Sequence, residues 1–226
     1  MTDIKDAGTR TRNAPDRLSK IKEIIDEIFP EPTVRYRLKN IANVMVENGD
    51  GDEDALLVTL YHTYQHIFAV VIRADEIAKK SNFIIYERKI LFIAALFHDY
   101  YHGYGKGSDV VNVCKSIHAM IDFLGASIDS QILNDAADAI FCTVFPFRVR
   151  PENEIECILR DADLTMSLEP DAEWFAEGLQ NEFKIAGKDI KVTVDDMIMF
   201  ANSQRFYTLY VANLFGIPYA YNKTKR

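Results

Sequence analysis

Apolar residues recur at helical spacing in nearly every segment of this chain, which leaves little room for any fold but a helical one. Residues 1–15 are polar and read as a flexible tail. "DRLSKIKEIIDEIF" then sets Leu18, Ile21, Ile24, Ile25 and Ile28 on one face and stops at Pro30. "TVRYRLKNIANVMVEN" repeats the pattern through Val34, Leu38, Ile41 and Met45 before it breaks at "GDGDED". A long helix is expected over 54–80, and another carries the run "KILFIAALF". A third, over 109–124, is capped by Ser108 and ended by Gly125. Further helices are expected near 129–145, 152–168 (with Pro151 in the first turn), 171–186 and 194–215. "KDIKVTV", at 188–194, is the single strand-like run, and it is short. No repeat or linker divides the chain, so the expected fold is an all-α, single-domain helical bundle over 16–216, with 217–226 as a C-terminal tail.

The chain's 226 residues are 48% apolar, enough for one substantial core. The net charge is −8 and no block of Lys and Arg is present, which argues against a nucleic-acid polymer as partner but not against a small anion in a local basic pocket. Neither a signal-type apolar segment in residues 1–16 nor an apolar run long enough for a membrane span is found. Cys114, Cys142 and Cys157 are odd in number and widely spaced, as expected of reduced thiols in a cytoplasmic protein, whose oligomeric state stays open. At the acidic break, Asp50, Asp52 and Asp54 alternate as in a calcium loop. Ala55 stands where the glycine belongs and Tyr61 where the bidentate Glu belongs, so a solvated turn is expected.

The apolar run ends abruptly in "FHDYYHGYGKG". A carboxylate and an imidazole at the end of a core helix are costly to bury without partners. All five histidines (His62, His66, His98, His102 and His118) fall between residues 62 and 118. His62 and His66, four apart, would share the inward face of the long helix. Imidazole and carboxylate together are a ligand set for borderline divalent ions, and a cation would let His98 and Asp99 be buried. "CILRDADLTMSL" offers a further carboxylate. Asp161 and Asp163 cannot share a helical face; the small, apolar neighbours of Asp163 suit a buried side chain, whereas Asp161 beside Arg160 reads as half of a surface ion pair.

The order His66, His98-Asp99, Asp163 resembles the H…HD…D signature of the HD superfamily of metal-dependent phosphohydrolases. "YHTYQH" is similar to that family's Y-H-N-x-x-H, "AALFHDYYH" to its HD helix end, and "RDADLTM" to its D-x-D-L. "HDYYH" and "ADLT" also resemble the catalytic domains of cyclic-nucleotide phosphodiesterases. The match covers residues 56–168 and implies an HD-type helical domain. By this resemblance His66, His98, Asp99 and Asp163 are the metal ligands, with Asp99 best placed to bridge two ions and so catalytic as well. His62 matches the histidine that protonates the leaving oxygen, and His102 a histidine near the attacking water, or else a polar residue at a helix end. Thr63 stands where Asn is usual, which bears on a secondary hydrogen bond. His118 stays open between ligand, substrate contact and core residue.

The implied activity is hydrolysis of a phosphate ester, of a nucleotide or related small metabolite, using one or two divalent ions. Manganese, iron, cobalt, nickel, zinc and magnesium are all admissible. Substrate charge would be met by Lys106, Lys115, Arg148 or Arg150. The alternatives on the same scaffold are a di-iron oxygenase and a non-catalytic nucleotide-binding module.

Overall fold

The computed structural model describes residues 13–50, 60–103 and 108–216, with side chains between 13 and 50 given for 16–47. Ten α-helices lie within them: α1 Asn13–Ile28, α2 Pro32–Asp50, α3 Tyr64–Lys80, α4 Ile85–Phe97, α5 Asp109–Leu124, α6 Ser130–Phe141, α7 Glu154–Asp163, α8 Ala172–Ile185, α9 Val194–Ser203 and α10 Leu209–Phe215. A 3₁₀ turn, Met166–Leu168, follows α7. Among the described residues there is no strand, and the all-α bundle expected from the spacing is what forms. No described helix is long and apolar enough to cross a membrane.

The run that reads as almost uniformly apolar is the central helix. Every residue of α4 from Ile90 to Phe97 is buried, and α3, α5, α6 and α7 pack around it. A helix apolar on all sides has to be enclosed on all sides. Truncating Leu96 to Ala there costs about 2–5 kcal/mol by cavity formation. At the end of α4 remote from His98, Arg88 donates to Asp75 of α3 (2.6 Å) and Glu27 of α1 (2.6 Å), while Lys79 reaches both carboxylates. That network fixes α1, α3 and α4 in register.

Several boundaries differ from those the sequence suggests, each for a tertiary reason. The first helix already begins at Asn13, because Pro15 falls in the first turn, where a missing N–H is tolerated. Helix α3 starts at Tyr64, with residues 61–63 bent, since the His62 N–H is taken by Glu182 of α8. The expected 152–168 helix starts at Glu154, capped by Asn153, so Pro151 lies before it, not in its first turn. It stops at Asp163, where the Thr165 hydroxyl takes the Ala162 carbonyl. The expected 194–215 helix is broken at Ser203, because the Asp161 carboxylate holds the Tyr207 and Thr208 N–H groups outside any helix (2.9 and 2.6 Å). Residues 188–193 form no strand; the Val192 N–H is satisfied by the Gln180 side chain. The acidic break from Gly51 onward and both expected tails, except residues 13–15, lie outside the described residues.

Candidate metal centre and the adjoining cavity

Three helices deliver one cluster. His66 projects from the first turn of α3, His98 and Asp99 stand at the C-terminal end of α4, and Asp163 closes α7. The His66 and His98 Nε2 atoms lie 3.1 Å apart, and each is 3.1 Å from Asp99 Oδ2. Asp163 Oδ1 lies 3.1 Å from His66 Nε2 and 3.6 Å from His98 Nε2. Both imidazoles are buried, whereas Asp99 and Asp163 keep a narrow open edge. The Nδ1–H of His98 donates to the Ala95 carbonyl (2.9 Å), which aims its Nε2 lone pair at the cluster. The exit after Asp99 is held by Ser116 of α5, whose hydroxyl accepts the Tyr101 N–H.

Two buried imidazole nitrogens at 3.1 Å with two carboxylates around them call for positive charge among them, which ring protons or a bound cation supplies. Burial alone would raise the Asp99 carboxyl, but the charges of His98 and His62 hold it well below its usual range. Burial likewise opposes the Asp163 charge, and hydrogen bonds from His66 and His98 reverse that. Ligand atoms at about 2.1 Å from one ion and at right angles to each other are roughly 3 Å apart, so these spacings suit a single small divalent ion. The four residues could hold a metal, and the N₂O₂ donor set is of the right chemistry for it.

Beside this cluster lies a second group that the sequence only half reveals. His62 is not on α3, so it and His66 do not share a helical face; Thr63 occupies the N-cap position between them, its side chain making no cap bond. Instead the Glu182 carboxylate of α8 accepts the His62 backbone N–H (2.7 Å) with one oxygen and bonds His62 Nδ1 (2.6 Å) with the other. His62 Nε2 then faces Asp99 Oδ2 at 3.9 Å. Burial lowers the His62 imidazole, but the Glu182 and Asp99 carboxylates outweigh it and lift the pKa to about 9. His102 stacks on His62 with ring centroids 3.7 Å apart; burial and the His62 charge push it down to about 4. Thr63, at the position of the expected secondary hydrogen bond, has a buried hydroxyl without a partner.

Gly178 makes the approach of α8 feasible. A Cβ at that position would lie 2.7 Å from both Leu60 C and Tyr61 N, so only glycine lets α8 lie against this backbone. Sequence reasoning misses both Gly178 and Glu182. The available signal is a carboxylate seven residues after Phe175, on the buried stripe of α8 where an apolar residue would be ordinary.

Other expected site residues are placed elsewhere. His118 is exposed on α5 and faces Asp122 at 3.4 Å, so it is neither core nor part of the cluster. Lys115 is exposed and engaged with Tyr101, while Arg148 and Arg150 are exposed and do not line the cavity at the cluster. Lys106 lies outside the described residues. Arg160 and Asp161 are not a surface ion pair: both are buried, Arg160 donating to the Cys142 and Val149 carbonyls and Asp161 accepting from Tyr207 and Thr208. Asp161 and Asp163 do point apart, as their spacing requires.

The cluster opens into a cavity of about 650 Å³, within the range of small-molecule sites. Asp99, Asp163, His62 and His102 line one side of it. The far walls come from the segment after α6 and from α8 and α9. No protein-family model, curated protein or solved structure matches this chain.

Proposed function

We propose that this protein is an HD-type metal-dependent phosphohydrolase acting on a phosphate ester of a nucleotide or related small metabolite. The observation that carries the reading is the convergence of His66, His98, Asp99 and Asp163 from three helices onto one point at the wall of a cavity. These are the four positions at which the sequence is similar to the H…HD…D signature. When bound there, a divalent ion supplies Lewis-acid neutralisation of phosphoryl oxygens and acidifies water.

The remaining work falls to side chains of the chain. His62, held by Glu182 through both backbone and ring, presents its Nε2 edge beside Asp99, where a departing alkoxide would need a proton. A positioned acid of this kind contributes about 10²–10⁴-fold in rate. Glu182 fixes the ring and supports its positive charge. His102, stacked on His62, limits the ring to one plane.

His62, His102 and Glu182 also offer donor atoms within 4.8 Å of one another, a second arrangement that could hold an ion. Occupying it would break the 2.6 Å His62–Glu182 bond, so we favour proton handling there and one ion per chain. The test is metal analysis of the purified protein combined with phosphate release from a panel of monoesters, diesters and nucleotides. Stoichiometric metal with turnover on at least one ester supports the proposal. A metal-free, inactive protein that also fails to take up manganese, iron or zinc sinks it, and a second ion that is lost on His62→Ala would reassign His62 to a ligand.

A further inference from the structure

The cavity walls beyond the cluster restrict what the phosphate can be attached to. Phe145, Phe147, Phe183, Phe200, Met166 and Met197 are among the residues of that surface. Phe145 and Phe200 face each other at 6.0 Å between ring centroids and remain 53% and 43% exposed, which is unusual for aromatic side chains clustered in a concave site. Apart from the Ser167 hydroxyl, which is buried and without a partner, the polar groups along the walls are largely engaged already. The Thr143 hydroxyl donates to the Ile140 carbonyl (2.8 Å), Asp109 accepts the Phe145 N–H (2.7 Å), and Asp196 accepts the Thr193 N–H and hydroxyl (2.9 and 2.7 Å). Among the described residues, Lys188 and Lys191 are the lysines of the lining, both exposed, and they share it with the carboxylates of Asp99, Asp109, Asp163, Asp196 and Glu182.

We infer that the substrate carries a single phosphate on an apolar, ring-bearing body, held by contact with the aromatic walls and not by hydrogen bonds. This rests on the proposed function for the position of the phosphate, and of the substrates named there it selects the small phosphorylated metabolite over the nucleotide, whose ribose would have to enter the cavity. A sugar buried here would leave hydroxyls without partners, at roughly 1–3 kcal/mol each. A di- or triphosphate would bring several negative charges to a lining that already holds five carboxylates and two lysines. Phe200 is the specificity-determining side chain: it sits on α9, opposite Phe145, and is not one of the four cluster residues.

Calorimetric titration with non-hydrolysable phosphonates tests this without depending on turnover. The full chain, with and without stoichiometric manganese, is titrated with phenylethylphosphonate, methylphosphonate and ATP. Phenylethylphosphonate should bind on the order of 10²-fold more tightly than methylphosphonate, from burial of the ring, and ATP more weakly than phenylethylphosphonate. Phe200→Ala should reduce the phenylethyl-to-methyl ratio by roughly 10-fold, the scale of one aromatic contact, while leaving methylphosphonate affinity and metal content unchanged. Met197→Ala, on the same helix, should act in the same direction if Phe200→Ala does not fold. Equal affinity for the two phosphonates, tighter binding of ATP, or an unchanged ratio in both variants overturns the inference. A protein that shows the phosphonate preference but hydrolyses no ester overturns the proposed function alone.

Discussion

His62 and His66 stand four residues apart but enter the site by different routes, and this predicts different losses on substitution. His66→Ala should lose metal, since its Nε2 is 3.1 Å from both carboxylates of the cluster. His62→Ala should keep metal and lose turnover by about 10²–10⁴-fold on an alkyl ester, whose leaving group needs a proton. On p-nitrophenyl phosphate, whose leaving group needs little help, the loss should be much smaller. Steady-state rates on the two esters, with metal measured on the same samples, decide between acid and ligand: an equal loss on both esters, or metal lost from His62→Ala, removes the acid role. Asp99→Ala should lose both metal and turnover, and full retention of either contradicts its place in the cluster. The four cluster residues are legible in the sequence because imidazole and carboxylate at buried helical positions are costly unless a charge of opposite sign lies among them. Glu182 is not legible, because only the tertiary approach of α8 brings it within 2.6 Å of His62. His118 shows the converse: a histidine in the right span of sequence but on an exposed face.

At the scale of helices, apolar periodicity locates all but the break that divides the expected 194–215 helix into α9 and α10, and side-chain bonds from other elements move the ends of the rest. The spacing at 60–63 continues that of α3 and by itself predicts helix there. The stretch bends because Glu182 takes its backbone N–H and because α8 passes against Leu60 and Tyr61 at Gly178. Sequence periodicity carries no information on such a crossing. Gly178→Ala should therefore act on the site through the helix. The new methyl meets backbone at 2.7 Å, which cannot rotate away, so α8 must shift, at about 1–3 kcal/mol. The expected outcome is a lowered Tm and reduced turnover on alkyl esters with metal content retained; unchanged kinetics would mean that the His62–Glu182 bond does not depend on this contact. At the opposite end of α4, Glu27 is lowered from 4.5 to about 2, chiefly by its hydrogen bonds with Arg88 and Lys79. A depressed carboxyl contributes stability that is present above pH 4.5 and lost as pH falls toward 2. Glu27→Gln should thus lower stability at neutral pH and flatten its decline on acidification. Denaturant unfolding of both proteins at pH about 6 and about 3 reads the difference, which should shrink at the lower pH; a constant difference would show that the pair contributes packing and not charge.

For the molecule as a whole, the cluster is the point where helices from distant parts of the chain meet. Residue 66 on α3, residues 98 and 99 at the end of α4 and residue 163 on α7 are far apart in sequence, and α3, α4 and α7 all pack on one another. The same packing excludes water from His66 and His98, so the unfolded chain cannot reproduce the site. An ion bound there binds the native state alone and must stabilise the entire bundle, not just the cavity wall. At free metal about 100-fold above Kd the gain is about 2.7 kcal/mol. For a chain of this size 1 kcal/mol moves Tm by roughly 2–4 °C, so the expected rise is about 5–11 °C. Chelator should reverse it, and titrating metal back should restore Tm in proportion to the logarithm of metal concentration once the site is saturated. Asp163→Ala should abolish the metal-dependent rise, because it removes a ligand at the end of α7. Phe200→Ala should leave it intact, because the aromatic wall lies outside the cluster. A thermal scan series over metal concentration on the three proteins checks this. A wild-type Tm indifferent to metal, or an Asp163→Ala protein that responds as wild type does, would mean that the four residues are a hydrogen-bonded cluster and not a metal centre.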